Sequence, residues 1–342
     1  MEEHSFARAV GETTLLLLIT FGSIFGNILV IIAVLRTPRL QTVTSFFIVN
    51  LAITDLSCAL ICMPLTVAAM YVGEYRIQWW MCNVYDYVVY ILSGVSLYTV
   101  TALAINRFYR VVKPARYNVY FTTRRSVIIC CVFWAWHITS VMLARYFFGI
   151  GSTFDSKLDI CIWVSKRSRV TYIVGSAMFV MGFTVIPGLL ITYCYYRTYQ
   201  RINEHNNTVS PTLHRHDNGK LGPSVHEIRT TKIMLTLVFA FYICWIPVAI
   251  IFLVQIFVPI HRSAYFLIRL LAYVSSLINP FIYAYMSRNF RSAFCEIMKC
   301  NTRALDEQGT SSGSNQGELH GRRKLKSPKD SRLGTEGTSA PV

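Results

Sequence analysis

Residues 233–258 read IMLTLVFAFYICWIPVAIIFLVQIFV, which is 26 consecutive positions without a charged side chain. An α-helix needs about 20 such residues to cross the roughly 30 Å hydrocarbon core of a bilayer. Six further apolar runs of similar length occur along the chain, at 13–35, 46–72, 80–111, 126–148, 170–193 and 264–286. Because no water reaches the backbone inside lipid, each run is predicted to be a helix.

The composition also favours a membrane protein. Charged residues make up 15% of the 342 residues and hydrophobic residues 54%, whereas soluble domains carry about 25% charged residues. An aromatic share of 14% excludes disorder for most of the chain. Buried helices of a soluble protein can imitate one or two such runs, but not seven in succession. The predicted fold class is therefore an all-α membrane protein, a seven-transmembrane helix bundle.

The positive charges predict how the bundle is oriented. The tail and the links that alternate on one side of the runs hold 24 of the 33 Lys and Arg, but 9 of the 17 Asp and Glu. Short loops rich in Lys and Arg stay in the cytoplasm, so the amino terminus is predicted outside and the carboxyl terminus inside. The first run is too long for a cleaved signal peptide and is expected to insert itself. The basic inner side indicates contact with anionic lipid, and no basic domain for nucleic acid is visible.

Two of the ten cysteines fall on the predicted outer side. Cys82 begins the third run, and Cys161 lies in the long link between the fourth and fifth runs. Since the extracellular side is oxidising, a disulfide between them is the economical pairing, with two free thiols as the alternative. Cys295 and Cys300 follow the last run on the inner side, where cysteines are candidates for reversible palmitoylation. The alternative there is an unmodified thiol.

Each of the seven apolar runs contains a short motif or a marked residue. In chain order they are Gly26-Asn27, Leu51-Ala52-Ile53-Thr54-Asp55, Asn106-Arg107-Phe108, Trp134 with Trp136 as its rival, Pro187 with Tyr195, Cys244-Trp245-Ile246-Pro247 and Asn279-Pro280-Phe281-Ile282-Tyr283. This ordered set resembles that of rhodopsin-like G-protein-coupled receptors and covers about residues 13–300. The resemblance implies a plasma-membrane receptor that binds an extracellular ligand and activates a heterotrimeric G protein.

Asp55 is an acid deep inside an apolar run, where a charge is costly and by default functional. The resemblance implies that Asn27, Ser96, Ser276 and Asn279 converge on it and that a sodium ion binds there. Carboxylate, hydroxyl and amide oxygens suit such a hard cation. The alternative is a protonated Asp55 within a hydrogen-bonded network.

Arg107 lies at the inner end of the third run. The resemblance implies that an acid holds it at rest and that it turns toward the G protein in the active receptor. The residue before it is Asn106 instead of the usual Asp, so Glu227 is predicted as the partner through a charge-assisted contact. The alternative is that Arg107 only extends to the lipid headgroups. The full set assigned to this switch is Asn106, Arg107, Phe108, Glu227, Tyr195 and Tyr283.

Three prolines interrupt the fifth, sixth and seventh runs. Pro187, Pro247 and Pro280 each remove a backbone hydrogen bond, and in lipid such breaks persist only where neighbours or water satisfy the freed groups. They are predicted to be hinges. Trp245 lies two residues before one of them, where a ligand can press on it from outside.

Gly22 and Gly26 form a pair of small residues four positions apart in the first run. Such pairs let two helices approach closely. The spacing leaves open whether the partner helix belongs to the same chain or to a second copy.

The resemblance places the ligand in the outer half of the bundle. The positions assigned to its pocket are Val89, Tyr90, Ser93, Phe179, Trp245, Phe252 and Tyr273. Amine receptors carry Asp where Val89 stands, and light-sensing relatives carry the retinal-binding Lys where Tyr273 stands, so an amine and retinal are both disfavoured. Asp86 faces this vestibule or is a solvated charge. The set is consistent with a small amphipathic ligand or a peptide end.

Within the family, the Asn-Arg-aromatic triplet, the Cys-Trp-x-Pro stretch and Ala272-Tyr273 look most like melatonin receptors. Pro280, Ala144 and Phe183 depart from that pattern. The predicted function is a receptor of unknown ligand, with a melatonin-like small molecule first and a peptide second. A transporter is the alternative by architecture, but it predicts internal repeats or paired interrupted helices, which the sequence lacks. No catalytic motif indicates an enzyme.

The predicted organisation has four parts. Residues 1–12 form a short extracellular terminus and residues 13–287 the bundle. Residues 288–300 resemble the family's amphipathic surface helix, with Phe290, Phe294 and Ile297 on one face. Residues 301–342 are rich in Ser, Gly, Thr and charge and are predicted to be disordered. By analogy, hydroxyls such as those of Ser311, Ser312, Ser327 and Thr335 are candidates for a receptor kinase and for arrestin docking.

Overall fold

The computed structural model describes residues 2–72, 79–155, 160–165, 167–209, 225–255, 257–258 and 260–310. Within them, seven helices are long and apolar enough to cross a membrane: Arg8–Arg36, Val43–Ala68, Trp80–Val112, Thr123–Phe148, Arg169–Glu204, Glu227–Ile251 and Arg262–Met286. The predicted seven-helix bundle is therefore confirmed. Residues Met1–Met298 form one compact unit, and Lys299–Val342 form another.

The described residues contain eleven α-helices, and two of the seven membrane spans consist of two helices each. They are α1 (Glu2–Arg36), α2 (Val43–Ser57), α3 (Met63–Val72), α4 (Trp79–Val112), α5 (Pro114–Tyr120), α6 (Thr123–Phe148), α7 (Arg169–Val180), α8 (Ile186–Val209), α9 (Val225–Val254), α10 (Arg262–Met286) and α11 (Arg288–Thr310). The second span consists of α2 and α3 and the fifth of α7 and α8. The third, fourth, sixth and seventh spans are α4, α6, α9 and α10. The range of α11 includes the surface helix predicted at 288–300.

Wide turns join the two halves of the second and fifth spans. Cys58–Cys62 and Met181–Val185 are π-helical, and a proline follows each of them closely, Pro64 after the first and Pro187 after the second. A proline lacks an N–H and its ring clashes with the carbonyl four residues earlier, so an extra residue in the preceding turn relieves the clash. The predicted hinge at Pro187 thus lies directly after a wide turn.

The outer link between α6 and α7 contains a hairpin that the apolar runs did not predict. β1 (Ile150–Asp155) pairs antiparallel with β2 (Ile160–Ser165), which places Phe154 opposite Cys161. α6 ends at Gly149, whose φ of 61° is left-handed and redirects the chain into β1.

The third span, α4, is central, because it packs against α2, α6, α8 and α9. A large apolar cluster around Leu103 and Leu237 fills the inner half of the bundle. A smaller cluster around Leu16, Met63 and Tyr273 joins the first, second and seventh spans. Side chains near both ends of α4 are therefore surrounded by residues of other spans.

The glycine pair of the first span packs within the chain. A Cβ added at Gly22 would lie 2.7 Å from Leu277, and one added at Gly26 would lie 2.8 Å from Pro280. Both neighbours belong to α10, so the small residues allow α1 and α10 to approach closely. The intramolecular reading of the pair is confirmed.

We predict that Gly26→Ala lowers the stability of the protein in detergent by roughly 1–3 kcal/mol, because the new methyl group overlaps the Pro280 ring. A fluorescence thermal-unfolding scan measures the effect. Gly11→Ala is the matched control, since a Cβ at Gly11 meets nothing within 4 Å and Ala favours a helix over Gly. Equal unfolding temperatures for the two variants would contradict the packing argument.

Candidate functional site

A cavity of about 220 Å³ opens between α4, the fifth span, α9 and α10. It lies in the half of the bundle that the sequence predicts to be extracellular, and we call it the outer cavity. Five of the predicted pocket residues line it, namely Val89, Tyr90, Ser93, Trp245 and Tyr273. The side chains of Phe179 and Phe252, the other two, lie outside the described residues. Asp86, for which the sequence left a vestibule position and a solvated charge open, also lines it. The prediction omitted two further polar residues of the wall, Gln255 and Arg269, because no motif marks them.

The predicted disulfide ties the hairpin to the start of α4. Cys82 and Cys161 are bonded, with their Cα atoms 5.4 Å apart, and Cys161 borders the outer cavity. The Asn83 side-chain oxygen adds two links, since it accepts hydrogen bonds of 3.1 Å from the Ser152 backbone N–H and from Arg145. The hairpin therefore forms a fixed wall next to the cavity.

Asp86 is buried, so it is not a solvated charge. Its carboxylate accepts a hydrogen bond from the Ser152 hydroxyl of β1. The sequence offered no sign of this contact, because the partner lies 66 residues away in the outer link.

A cluster of hydroxyl groups joins the second, third and seventh spans at the cavity wall. The Tyr85 and Tyr273 hydroxyls lie 2.8 Å apart, and both contact the Thr66 hydroxyl. The guanidinium of Arg269 also lines the cavity. Among the described residues, no carboxylate lies within ion-pair distance of Arg269. The cavity thus presents a cation whose charge is open to a ligand.

Trp245 lines the inner end of the outer cavity, between aromatic rings. It stacks on Phe241 at 5.5 Å between ring centres, and Phe183 lies 6.3 Å away. The Trp245 indole N–H is buried without a hydrogen-bond partner among the described residues. An unsatisfied buried donor costs free energy. Among the described residues, no hydrogen bond holds the indole ring in this position.

The predicted polar site around Asp55 is assembled below Trp245. Asn279 donates a 2.8 Å hydrogen bond to the Asp55 carboxylate, and the Ser96 hydroxyl lies 2.7 Å from that of Thr54. A cavity of about 30 Å³ is lined by Asp55, Ser96, Ser276 and Asn279. Asn27 donates instead to the Ser276 carbonyl at 3.1 Å and does not line this cavity. Four of the five predicted residues thus border one small cavity, whose other lining residues, such as Leu92, Phe241 and Trp245, are mostly apolar.

The inner end of the bundle is closed by one carboxylate shared between two arginines. Arg107 lies 3.5 Å and Arg110 lies 2.9 Å from the Glu227 carboxylate. We call these three residues the inner clasp; it joins α4 to α9. Glu227 was predicted as the partner of Arg107, whereas Arg110 was not. Because Arg107 is only 4% exposed, the alternative in which it extends to the lipid headgroups is excluded.

Asn106 takes over part of the role of the missing acid. Its side-chain oxygen accepts a hydrogen bond of 2.9 Å from Arg107, and its amide donates to the Tyr117 hydroxyl at 3.2 Å. The Thr44 hydroxyl donates to the same oxygen and accepts from Arg107. A neutral amide thus orients the guanidinium without neutralising it.

The remaining switch residues lie around the inner clasp. Phe108 is buried and packs 6.0 Å from Tyr193 between ring centres. The hydroxyls of Tyr195 and Tyr283 are buried without a partner among the described residues. Tyr283 stacks on Phe290 of α11 at 5.2 Å. These two hydroxyls therefore gain a hydrogen bond in any packing that brings them to a polar group.

Two further predictions concern the fourth span and α11. The Trp134 indole donates to Asn50 at 3.1 Å, whereas Trp136 is exposed on the outside of the bundle, so the preference for Trp134 agrees with the structure. Phe290 and Phe294 of α11 are buried. Cys295 is exposed, while the side chain of Cys300 lies outside the described residues.

Comparisons with known proteins agree with this arrangement. A family model described as "7 transmembrane receptor (rhodopsin family)" matches residues 26–283. Human galanin receptor type 1 is 28% identical over 309 residues, which is 86% of this chain and 84% of that protein. The allatostatin-A receptor of Bombyx mori is 27% identical over 285 residues, or 80% of this chain and 76% of that protein.

The melatonin receptor type 1A of Gallus gallus is 25% identical over 295 residues, covering 83% of this chain and 79% of that protein. The melatonin-like motifs are therefore one resemblance among several of similar strength. Among solved structures, squid rhodopsin superposes with a TM-score of 0.75 at 22% identity, covering 91% of this chain and 93% of that chain. This likeness supports the fold.

We predict that Asn83→Ala raises the amide exchange rate of Ser152 about tenfold, because a buried N–H loses its acceptor, and such a loss costs about 1–3 kcal/mol. Hydrogen-exchange mass spectrometry of the hairpin measures the change. Thr153→Ala, on the exposed side of β1, is the control and leaves the exchange rate as it is. Unchanged protection in Asn83→Ala would show that Asn83 does not hold the hairpin.

Proposed function

The chain belongs to the rhodopsin family of seven-transmembrane receptors, and from this premise we propose that a ligand in the outer cavity displaces Trp245 and so opens the inner clasp to a heterotrimeric G protein. Membership makes the protein a multi-pass membrane G-protein-coupled receptor, with an extracellular ligand and a G protein as partners, and not an enzyme. The transporter alternative loses its support.

The observation that carries this proposal is that one helix serves both ends. α9 places Trp245 against the outer cavity and Glu227 in the inner clasp. These residues are 18 positions apart, or about 27 Å along a helix. Pro247 lies beside Trp245 and removes a backbone hydrogen bond at that level. A movement of the Trp245 ring therefore also moves the inner end of α9, which carries the Glu227 carboxylate.

Unsatisfied buried groups along the same path favour a second packing. The Trp245 N–H and the hydroxyls of Tyr195 and Tyr283 lack partners among the described residues. A second packing that satisfies them offsets the loss of the inner clasp, so the two states differ little in free energy. A ligand that prefers one state then shifts the population.

The polar groups of the outer cavity define the ligand chemistry. The Asp86 carboxylate already accepts a hydrogen bond from Ser152, whereas Arg269 has no carboxylate among the described residues. We therefore assign the ligand an apolar or aromatic body, which packs against Tyr90 and Trp245, and one accepting group for Arg269. A carboxylate or an amide carbonyl meets that need.

The size of the cavity favours a small molecule. Pockets for drug-sized ligands measure about 300–1,000 Å³, and the outer cavity measures about 220 Å³. A melatonin-like small molecule is the first candidate, since a melatonin receptor is among the relatives. A peptide is the second, since galanin and allatostatin-A receptors are also relatives; only one end of a peptide fits.

Sodium is a further element of the proposal, and the donor set fits it. Asp55 supplies a carboxylate, Ser96 and Ser276 supply hydroxyls and Asn279 supplies an amide, all around about 30 Å³. That space accommodates an ion or a water molecule. These residues would hold the cation, which supplies only positive charge.

The orientation and remaining partners are proposed from the sequence. We assign the receptor to the plasma membrane with its amino terminus outside, because the disulfide side bears few Lys and Arg. Palmitoylation of Cys295 is compatible with its exposure, whereas the Cys300 side chain and the Ser and Thr proposed for kinase and arrestin lie outside the described residues. Anionic lipid is expected at the basic inner face.

We predict that Glu227→Gln raises ligand-independent nucleotide exchange on a G protein by roughly tenfold or more, because a charge-assisted contact contributes about 1.5–3 kcal/mol. Exchange is measured with purified receptor in lipid nanodiscs. Glu12→Gln is the matched control, since Glu12 pairs with Arg262 at 3.2 Å at the outer end of the bundle. A rise of equal size in both variants would refute a specific role for the clasp.

We predict that Arg107→Ala, placed in the Glu227→Gln background, returns exchange to the level of the G protein alone. The guanidinium freed from the clasp is then absent and cannot contact the G protein. The amount of receptor at the cell surface, measured with an amino-terminal tag, stays the same. Full exchange from this double variant would disprove the assigned role of Arg107.

A further inference from the structure

A second cavity of about 270 Å³ lies between α4, α6 and the fifth span, with β1 at its outer end; we call it the lateral cavity. Trp136, Leu143 and Met178 line it and are 56%, 47% and 61% exposed. In a membrane-spanning chain, apolar side chains exposed at this level face lipid. The lateral cavity is therefore reached from the bilayer.

The lateral cavity contains a buried polar side chain that has no hydrogen-bond partner within the described part of the chain. His137 of α6 is 2% exposed, and both of its ring nitrogens lack a hydrogen-bond partner among the described residues. A neutral imidazole offers one donor and one acceptor. Buried polar groups in native proteins are nearly always paired, so an unpaired imidazole lining a cavity points to a ligand.

The ring of His137 is held in place by its neighbours. It meets Tyr98 edge-on at 4.8 Å between ring centres, and Phe183 lies 6.2 Å away. A Cβ at Gly94 would collide with it, so the glycine leaves room for this ring. The imidazole is thus fixed by packing with Nδ1 beside Gly94, and neither ring nitrogen has a hydrogen-bond partner among the described residues.

The wide turn of the fifth span leaves the opposite wall unfilled. A Cβ added at Gly182, within Met181–Val185, meets nothing within 4 Å. The Gly182 carbonyl accepts a 3.2 Å hydrogen bond from Tyr98. The space beside the Gly182 Cα is therefore free of neighbouring atoms among the described residues.

The charged residues of the lateral cavity are already engaged. Arg145 donates to Asn83 and to the Tyr87 hydroxyl, and Asp86 accepts from Ser152. An ionised ligand would lose its hydration in an apolar space without gaining a free counter-charge. The chemistry that fits is an apolar body with one neutral group that both donates and accepts.

We propose that the lateral cavity is a second binding site, which takes a lipid-dissolved molecule with an apolar body and one hydroxyl that hydrogen-bonds to His137. Phe183 borders both cavities and lies 6.3 Å from Trp245. Occupancy therefore acts on the ring next to Trp245 without filling the outer cavity.

The test uses the full-length receptor in lipid nanodiscs and a photoreactive octanol that carries an alkyl diazirine. The matched probe is the same chain without the hydroxyl. We expect adducts of the alcohol on residues of the lateral cavity, mapped by mass spectrometry. In His137→Phe, labelling by the alcohol falls about fivefold, which is the effect expected for the loss of one hydrogen bond. In His137→Asn, labelling is partly retained, because the amide keeps a donor and an acceptor.

Gly182→Leu gives an independent check, because it fills the cavity from a position with free space. It is expected to abolish labelling by the alcohol while the thermal unfolding temperature of the receptor is kept. Equal labelling by both probes, or adducts confined to the lipid-facing surface and unchanged in the variants, would overturn the proposal. The readout is labelling and not nucleotide exchange, so it stands apart from the function proposed above.

Discussion

The resting arrangement depends on the burial of Arg107, whose charge is met by a single carboxylate. Glu227 is shared by Arg107 and Arg110, so one carboxylate of α9 offsets part of the charge of two guanidinium groups of α4. A buried guanidinium left without a counter-charge is costly. Separation of the inner ends of these two spans is therefore favoured by any environment that receives the arginine, such as a bound protein.

The rest of the bundle determines when that separation is favourable. α9 is continuous from the inner clasp to Trp245, and the tryptophan is positioned by ring packing and not by a hydrogen bond. The hairpin opposite it is held by a disulfide and by Asn83. One wall of the outer cavity is thus cross-linked and the other is held by ring packing, and in the proposed mechanism a ligand between them acts mainly on α9.

The sequence predicted the features that follow from local composition. Seven apolar runs identified the spans, and the placement of Cys82 and Cys161 on the oxidising side identified the disulfide. The partnership of Arg107 with Glu227 was also predicted, because the family motif requires an acid and Asn106 is not one.

Features that depend on distant parts of the chain were not predicted. Asp86 meets Ser152 across 66 positions, and Arg110 shares Glu227 from a position one turn after Arg107, where a basic residue equally fits a cytoplasmic loop. Arg269 lines the outer cavity and His137 lines the lateral cavity. Their roles could be inferred only from the residues that surround them in the structure. Sequence composition and motif spacing do not reveal which side chains will lack an ion-pair or hydrogen-bond partner in the folded structure.

The central claim is that the inner end of α9 moves away from α4 when a G protein is engaged. Spin labels are placed at Arg116→Cys of α5, which directly follows α4, and at Lys232→Cys of α9; both positions are exposed. With Cys131, Cys295 and Cys300 replaced by Ser, pulsed electron paramagnetic resonance measures the distance between the two labels. With nucleotide-free G protein, we predict a new population at longer distance, which is already enlarged in Glu227→Gln. A distance distribution that stays the same while exchange is promoted would contradict the account.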